Sequence, residues 1–120
     1  MSQDLTRARR GEIWLADLGA NRSGELGKTR PVIVMTLDEL VAGDPADLLI
    51  VVPLSASRAA SAFRVQVDAV EGVDRPSVAV VTAARAVARS RLTTRLGVLP
   101  ERELGQVTAL LVAAVGGPRA

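Results

Sequence analysis

The chain has 120 residues, of which 48% are hydrophobic and 23% charged, with a formal net charge of +2. That is one domain's length with enough apolar content to build a core, which excludes wholesale disorder. It contains no Cys and no His, so disulfide frameworks, the usual zinc sites, Ser–His–Asp triads and Cys nucleophiles are all excluded.

Residues 1–10 read as a flexible basic arm, and residues 11–117 as a single domain. Gly11–Leu18 alternates around Ile13 and Leu15 and predicts a first strand, with Trp14 on the opposite side and expected to pack rather than to meet a ligand. Gly19–Thr29 is loop chemistry, with Asn21, Gly24 and Gly27 supplying backbone freedom. Arg30–Thr36 predicts a second strand, and Asp38–Ala42 a short helical turn closed by Gly43 and Pro45. Leu48–Leu54 is a near-continuous aliphatic run, the pattern of a strand buried on both faces. It ends in Ser55-Ala56-Ser57-Arg58. Ala62–Val67 alternates through Phe63, Val65 and Val67 and predicts a fourth strand. Glu71–Pro76 is a turn, Ser77–Thr82 a fifth strand, Ala83–Arg91 irregular or briefly helical, and Leu92–Leu99 a sixth strand. Pro100 opens a helix with Glu101 and Glu103 in its first turn. Leu104, Val107, Leu111 and Val115 form its apolar stripe, and Gly116-Gly117-Pro118 ends it. These elements predict an α+β chain, mainly β: a small SH3-like curled sheet or barrel with a C-terminal amphipathic helix.

The junction of loop and second strand carries the strongest chemical signal. Proline narrows the backbone of the residue before it toward extended geometry, so Pro31 restrains Arg30. A guanidinium so placed, with Lys28 and Glu25 upstream, suits a phosphate; the same residues also fit an ordinary loop edge. Ser55 ends the third strand. If the second and third strands are neighbours, Arg30 and Ser55 open onto one groove.

Charge distribution adds a second signal. No acid lies between Asp74 and Glu101, whereas Arg75, Arg85, Arg89, Arg91 and Arg95 do, which predicts a basic face. The sequence pI of 10.4 overstates this, because nothing titrates between the carboxylates and the arginines. Lys28 is also the only lysine, so some of these arginines stand simply where another chain would use lysine. There is no P-loop and no Gly-x-Gly-x-x-Gly to hold a nucleotide cofactor. No apolar run approaches the ~20 residues of a membrane helix, and no apolar h-region follows the basic N-terminus. A cytoplasmic protein without a membrane segment is expected.

Taken in order, these residues resemble the MazF/PemK family of toxin endoribonucleases. The likeness runs from Arg10-Gly11-Glu12-Ile13-Trp14 with Asp17-Leu18, through Gly24-Glu25 and Gly27-Lys28-Thr29-Arg30-Pro31-Val32-Ile33-Val34, to Val52-Pro53-Leu54-Ser55. It continues through Ser77-Val78, Arg85, Arg91-Leu92, Gly97 and the terminal helix, and so covers residues 10–115. Ser55 stands where relatives commonly carry threonine, and Ala83 where they commonly carry the glutamine before the arginine.

The resemblance implies cleavage of single-stranded RNA without metal or other cofactor, leaving a 2′,3′-cyclic phosphate and a 5′-hydroxyl. It implies a homodimer and a cognate MazE-like antitoxin whose acidic, flexible tail occupies the RNA groove. Arg30 would neutralise charge on the phosphoryl oxygens. Ser55 would donate a further hydrogen bond or orient Arg30. Glu25 is either the general base or a partner that positions Arg30. With Trp14 and Phe63 as the only aromatics, bases lack an aromatic platform. Lys28, Thr29, Ser57, Arg58, Arg85 and Arg89 are therefore the expected RNA contacts. Two other readings fit the same barrel: a CcdB-like toxin that binds gyrase, and a non-catalytic RNA-binding module.

Overall fold

Alternating β-branched residues build the frame. The computed structural model describes residues 7–19, 28–56, 63–68, 73 and 76–118. Its strands are β1 (Glu12–Asp17), β2 (Thr29–Val34), β3 (Leu48–Ser55), β4 (Arg64–Val67), β5 (Ser77–Val80), β6 (Arg85–Ala88) and β7 (Leu92–Val98), followed by the helix α1 (Glu101–Ala114). They form one antiparallel sheet in the order β4-β5-β3-β2-β1-β7, with β6 off this path and beside β3. No ladder joins β4 to β7 among the described residues, so the sheet is open rather than a closed barrel.

β6 lies where the Ala- and Arg-rich composition predicts irregular or helical structure. Its pairing with Leu48–Val51 of β3 overrides that local preference, as cross-strand packing commonly does.

β3 is the hub, and two prolines decide where it parts from its neighbours. Met35 N–H donates to Ile50 O (2.9 Å), so even-numbered residues of β3 bond toward β2. The odd-numbered ones face the other edge, which is shared: Leu48–Val51 pair with β6 and Leu54–Ser55 with β5. Pro53 falls between these two ladders, and the N–H it lacks would have pointed at that edge. On β2, Gly11 N–H donates to Val34 O (2.8 Å), so even residues bond toward β1 and odd ones toward β3. The N–H missing from Pro31 would thus have faced β3. The β2–β3 ladder accordingly ends one step away, at Val32↔Pro53.

Alternation also separates two apolar clusters, one on each face. Ile13, Ile33, Val52, Leu54 and Val67 share one with α1, which contributes Val107 from its buried side and Leu104, Leu110 and Leu111 from its flanks. Trp14, Ala16, Val32, Val34, Leu49, Val51 and Val87 share the other, so Trp14 lies opposite Ile13 as its sequence position predicts. β3 reaches both clusters, although Leu48 and Ile50 near its start are exposed. Val115, expected in the helical stripe, is 78% exposed because the helix has already ended. Gly116 N–H closes on Ala113 O (3.0 Å) and Gly117 N–H on Val112 O (2.8 Å). This is a Schellman turn, and it needs the left-handed φ of 90° that Gly116 adopts.

Residues 7–10 are docked, in contrast to the loose arm expected of 1–10. Ala8 is buried. Arg10 donates through its backbone N–H to Asp38 Oδ1 (2.8 Å), and through its guanidinium to Met35 O and Thr108 Oγ1 (both 2.6 Å). One arginine thereby ties the sheet to α1. Residues 1–6 lie outside the described residues.

Ile33→Ala empties a fully buried site and should cost about 2–5 kcal/mol. Val115→Ser should change stability by less than about 0.5 kcal/mol. Urea unfolding at constant m-value reads both.

Candidate functional site

Arg30 and Ser55 lie two residues beyond the last pair of the β2–β3 ladder, Val32↔Pro53. Continued past the donor lost at Pro31, that register would set Arg30 opposite Ser55. Directly opposed residues of antiparallel strands project to the same face. That face belongs to the Trp14 cluster: Arg30 pairs on its other side with Ala16 of β1, and Ala16 lies in that cluster. Arg30 is half-buried, while Ser55 is 7% exposed and pairs across β5 with Val78. No buried side-chain polar atom among the described residues lacks a partner. Arg30 is thus half-buried at the start of β2, and Ser55 is a buried, partnered hydroxyl at the end of β3.

The backbone just before Arg30 is held firmly. Lys28 has a left-handed φ of 63°, a conformation that non-glycine residues adopt only when their surroundings enforce it. Here Leu18 N–H donates to Lys28 O (2.8 Å), and Lys28 N–H donates to Gly19 O. Gly19 itself has φ 79°, and its N–H donates to Asp17 Oδ1 (2.9 Å). Thr29 pairs with Asp17, and both Lys28 and Thr29 are exposed.

Arg75 lies outside the described residues, and the other arginines of the acid-free stretch do not form one face. Arg85 heads β6 and donates through Nη1 to Leu18 O (3.2 Å); Arg91 donates through Nη1 to Asp17 O (3.2 Å). Both are exposed, and both sit at the end of β1 beside Lys28. Arg95 instead donates through Nε to Glu12 Oε2 (2.6 Å). The other oxygen of Glu12 accepts from Arg9 N–H (2.7 Å) and Trp14 Nε1–H (3.0 Å).

Arg89 corrects the expectation of a surface RNA contact. It is 8% exposed, its guanidinium lies over the Trp14 ring at 4.8 Å, and its Nη1 donates to Leu92 O (3.0 Å). Burial against an aromatic face makes it a core cation. Nothing in its sequence context distinguishes it from Arg85 four residues earlier. Glu25, Ser57 and Arg58 lie outside the described residues. Among the described residues no group of three or more acidic side chains is placed to hold a metal ion.

An open antiparallel sheet of this order with one C-terminal helix is a known architecture. MazF from Deinococcus radiodurans superposes with a TM-score of 0.78 at 22% identity, covering 91% of this chain and 96% of its own. The Mycobacterium tuberculosis toxin MazF-mt6 does so at 0.72 and 22% identity, covering 89% and 98%. A mycobacterial endoribonuclease in complex with its cognate antitoxin gives 0.75 at 15% identity, covering 95% and 100%. At these identities the likeness establishes the fold. Residues 9–115 match the family described as PemK-like, MazF-like toxin of type II toxin–antitoxin systems, and the chain belongs to that family.

Arg89→Ala should lower stability by about 2–4 kcal/mol, through the lost ring contact and buried charged hydrogen bond. Arg85→Ala, at an exposed position, should cost under about 1 kcal/mol. Chemical denaturation of the two variants side by side separates the core cation from the surface one.

Proposed function

We propose that this toxin is an endoribonuclease that cuts single-stranded RNA by attack of the substrate's own 2′-hydroxyl on the adjacent phosphorus. The products are a 2′,3′-cyclic phosphate and a 5′-hydroxyl end. What supports the proposal is the β2–β3 register, which ends at Val32↔Pro53 and, carried two residues further, would put Arg30 and Ser55 on one face. A guanidinium presents two parallel N–H donors that match a pair of phosphoryl oxygens. As the 2′-oxygen bonds to phosphorus, negative charge grows on those oxygens, and a permanently charged donor fixed in advance stabilises that state more than the ground state. The burial of Ser55 favours the role of orienting Arg30 over direct contact with RNA.

The proton of the 2′-hydroxyl needs an acceptor. Arginine holds its own proton too tightly; in this reading Glu25 takes the proton as O2′ bonds to phosphorus, the P–O5′ bond breaks, and the departing 5′-oxygen is protonated from solvent. Lys28, Thr29 and Arg85, exposed at the same end, supply phosphate contacts together with Ser57 and Arg58. The reaction uses an internal nucleophile and a guanidinium, so it requires neither metal nor other cofactor. A cognate antitoxin with an acidic tail fits the same end electrostatically, and the mycobacterial neighbour solved with its antitoxin supports such a partner. A homodimer is part of the reading, supported by the exposed apolar side chains of Leu48 and Ile50. The setting is cytoplasmic; no helix among the described residues is long and apolar enough to cross a membrane.

Purified protein incubated with a defined single-stranded RNA in EDTA should release fragments with 5′-hydroxyl ends. Arg30→Ala should slow cleavage by about 10²–10³, and Ser55→Thr should retain it; cutting by Arg30→Ala at the wild-type rate refutes the assignment. Glu25→Gln should lower kcat by about 10²–10⁴ and remove the acid limb of the pH–rate profile. A merely orienting carboxylate would leave that limb in place.

A further inference from the structure

The backbone of Arg30 is paired with β1. Its backbone groups face β1, because even residues of β2 bond in that direction, and its partner there is Ala16. On its other edge β1 pairs with β7, and that ladder ends at the same residue, in the pair Ala16↔Leu92, after a register shift. Asp17 and Leu18 therefore project beyond their second neighbour while still carrying Thr29 and Lys28 on the first. Carbonyls left without a ladder partner need another donor. Thr93 Oγ1 donates to Leu15 O (3.2 Å) at the shift, Arg91 Nη1 takes Asp17 O, and Arg85 Nη1 takes Leu18 O. Arg91 immediately precedes β7, so its side chain supplies the donor where the strand has not yet begun. Its Nη1 lies over Gly19, 3.8 Å from where a Cβ would stand.

We infer that Arg91 is a positioning residue: it replaces the missing rung of the β1–β7 ladder and so keeps the end of β1, the left-handed turn at Lys28 and the backbone of Arg30 in one geometry. Arg85 assists from β6 at the next carbonyl. The catalytic consequence rests on the ribonuclease reading, whereas the structural one does not. A guanidinium loosened by an ångström would still meet RNA, since Coulomb attraction is tolerant of small displacements, but it would no longer match the two phosphoryl oxygens.

The test compares Arg91→Ala and Arg91→Lys with wild type. Two measurements are made: amide hydrogen exchange of the free protein, and single-turnover cleavage alongside binding of an oligonucleotide carrying a 2′-deoxy group at the cut site. In Arg91→Ala, protection of the Leu18 and Lys28 amides should fall while that of core strands such as β3 persists. Cleavage should slow about tenfold, with affinity for the uncleavable strand changed less than about threefold. Arg91→Lys, which keeps a donor, should restore most of both. Protection left intact in Arg91→Ala overturns the inference, as does weaker binding with an unchanged cleavage step, which would make Arg91 a phosphate contact. If wild type cuts no RNA, the ribonuclease reading fails, and the exchange measurement still decides whether Arg91 holds β1.

Discussion

The site depends on backbone donors that are absent at two places. A β-ladder runs on until something interrupts it, and in β3 and its neighbour β2 the interruptions are prolines. Pro53 removes the N–H that would have faced the edge where β6 stops and β5 begins. Pro31 removes the one that would have closed β2 onto β3 beyond Val32. A central strand ordinarily avoids proline because each one deletes a rung. Here the deletions coincide with the points where the sheet changes partners. Arg30 and Ser55 lie just past the end of the β2–β3 ladder.

The backbone of Arg30 is carried by β1, and the surrounding chemistry reflects that burden. The end of β1 is held by the Leu18–Lys28 and Lys28–Gly19 backbone bonds, by the Asp17 carboxylate on Gly19, and by guanidinium donors on two successive carbonyls. Each of these interactions is modest and partly exposed. Together they hold a left-handed lysine that would otherwise relax. At the opposite end of the same strand, Glu12 collects Arg9, Trp14 and Arg95, which fixes the indole over which Arg89 lies. The arginines of this chain thus do three different jobs: capping orphan carbonyls, neutralising a buried carboxylate and filling the core beside an aromatic ring.

That division explains why the +2 net charge conveys little about a polyanion partner. Among the described residues, the cations gathered at the rim for one are Lys28, Arg30 and Arg85, where the acidic side chain of Asp17 is turned onto a backbone amide. A modest total charge concentrated at one end steers an anionic strand or tail as effectively as a larger diffuse one.

Much of this was legible from residue order alone. Period-two alternation separated Ile13 from Trp14, aliphatic runs marked β2 and β3, and the Gly-Gly-Pro ending stopped α1, because these depend on local geometry that each residue imposes on its own backbone. The places of Arg30 and Ser55 at strand ends could be read from residue order, but that β2 and β3 are neighbours required the sheet. Three features lay beyond any local rule. β6 is a strand because β3 offers an edge, Arg89 is buried because Trp14 happens to face it, and Arg91 caps Asp17 because β7 begins one residue too late to do so. A side chain's type sets what it is able to bond; only the folded chain decides which unsatisfied group lies within its reach.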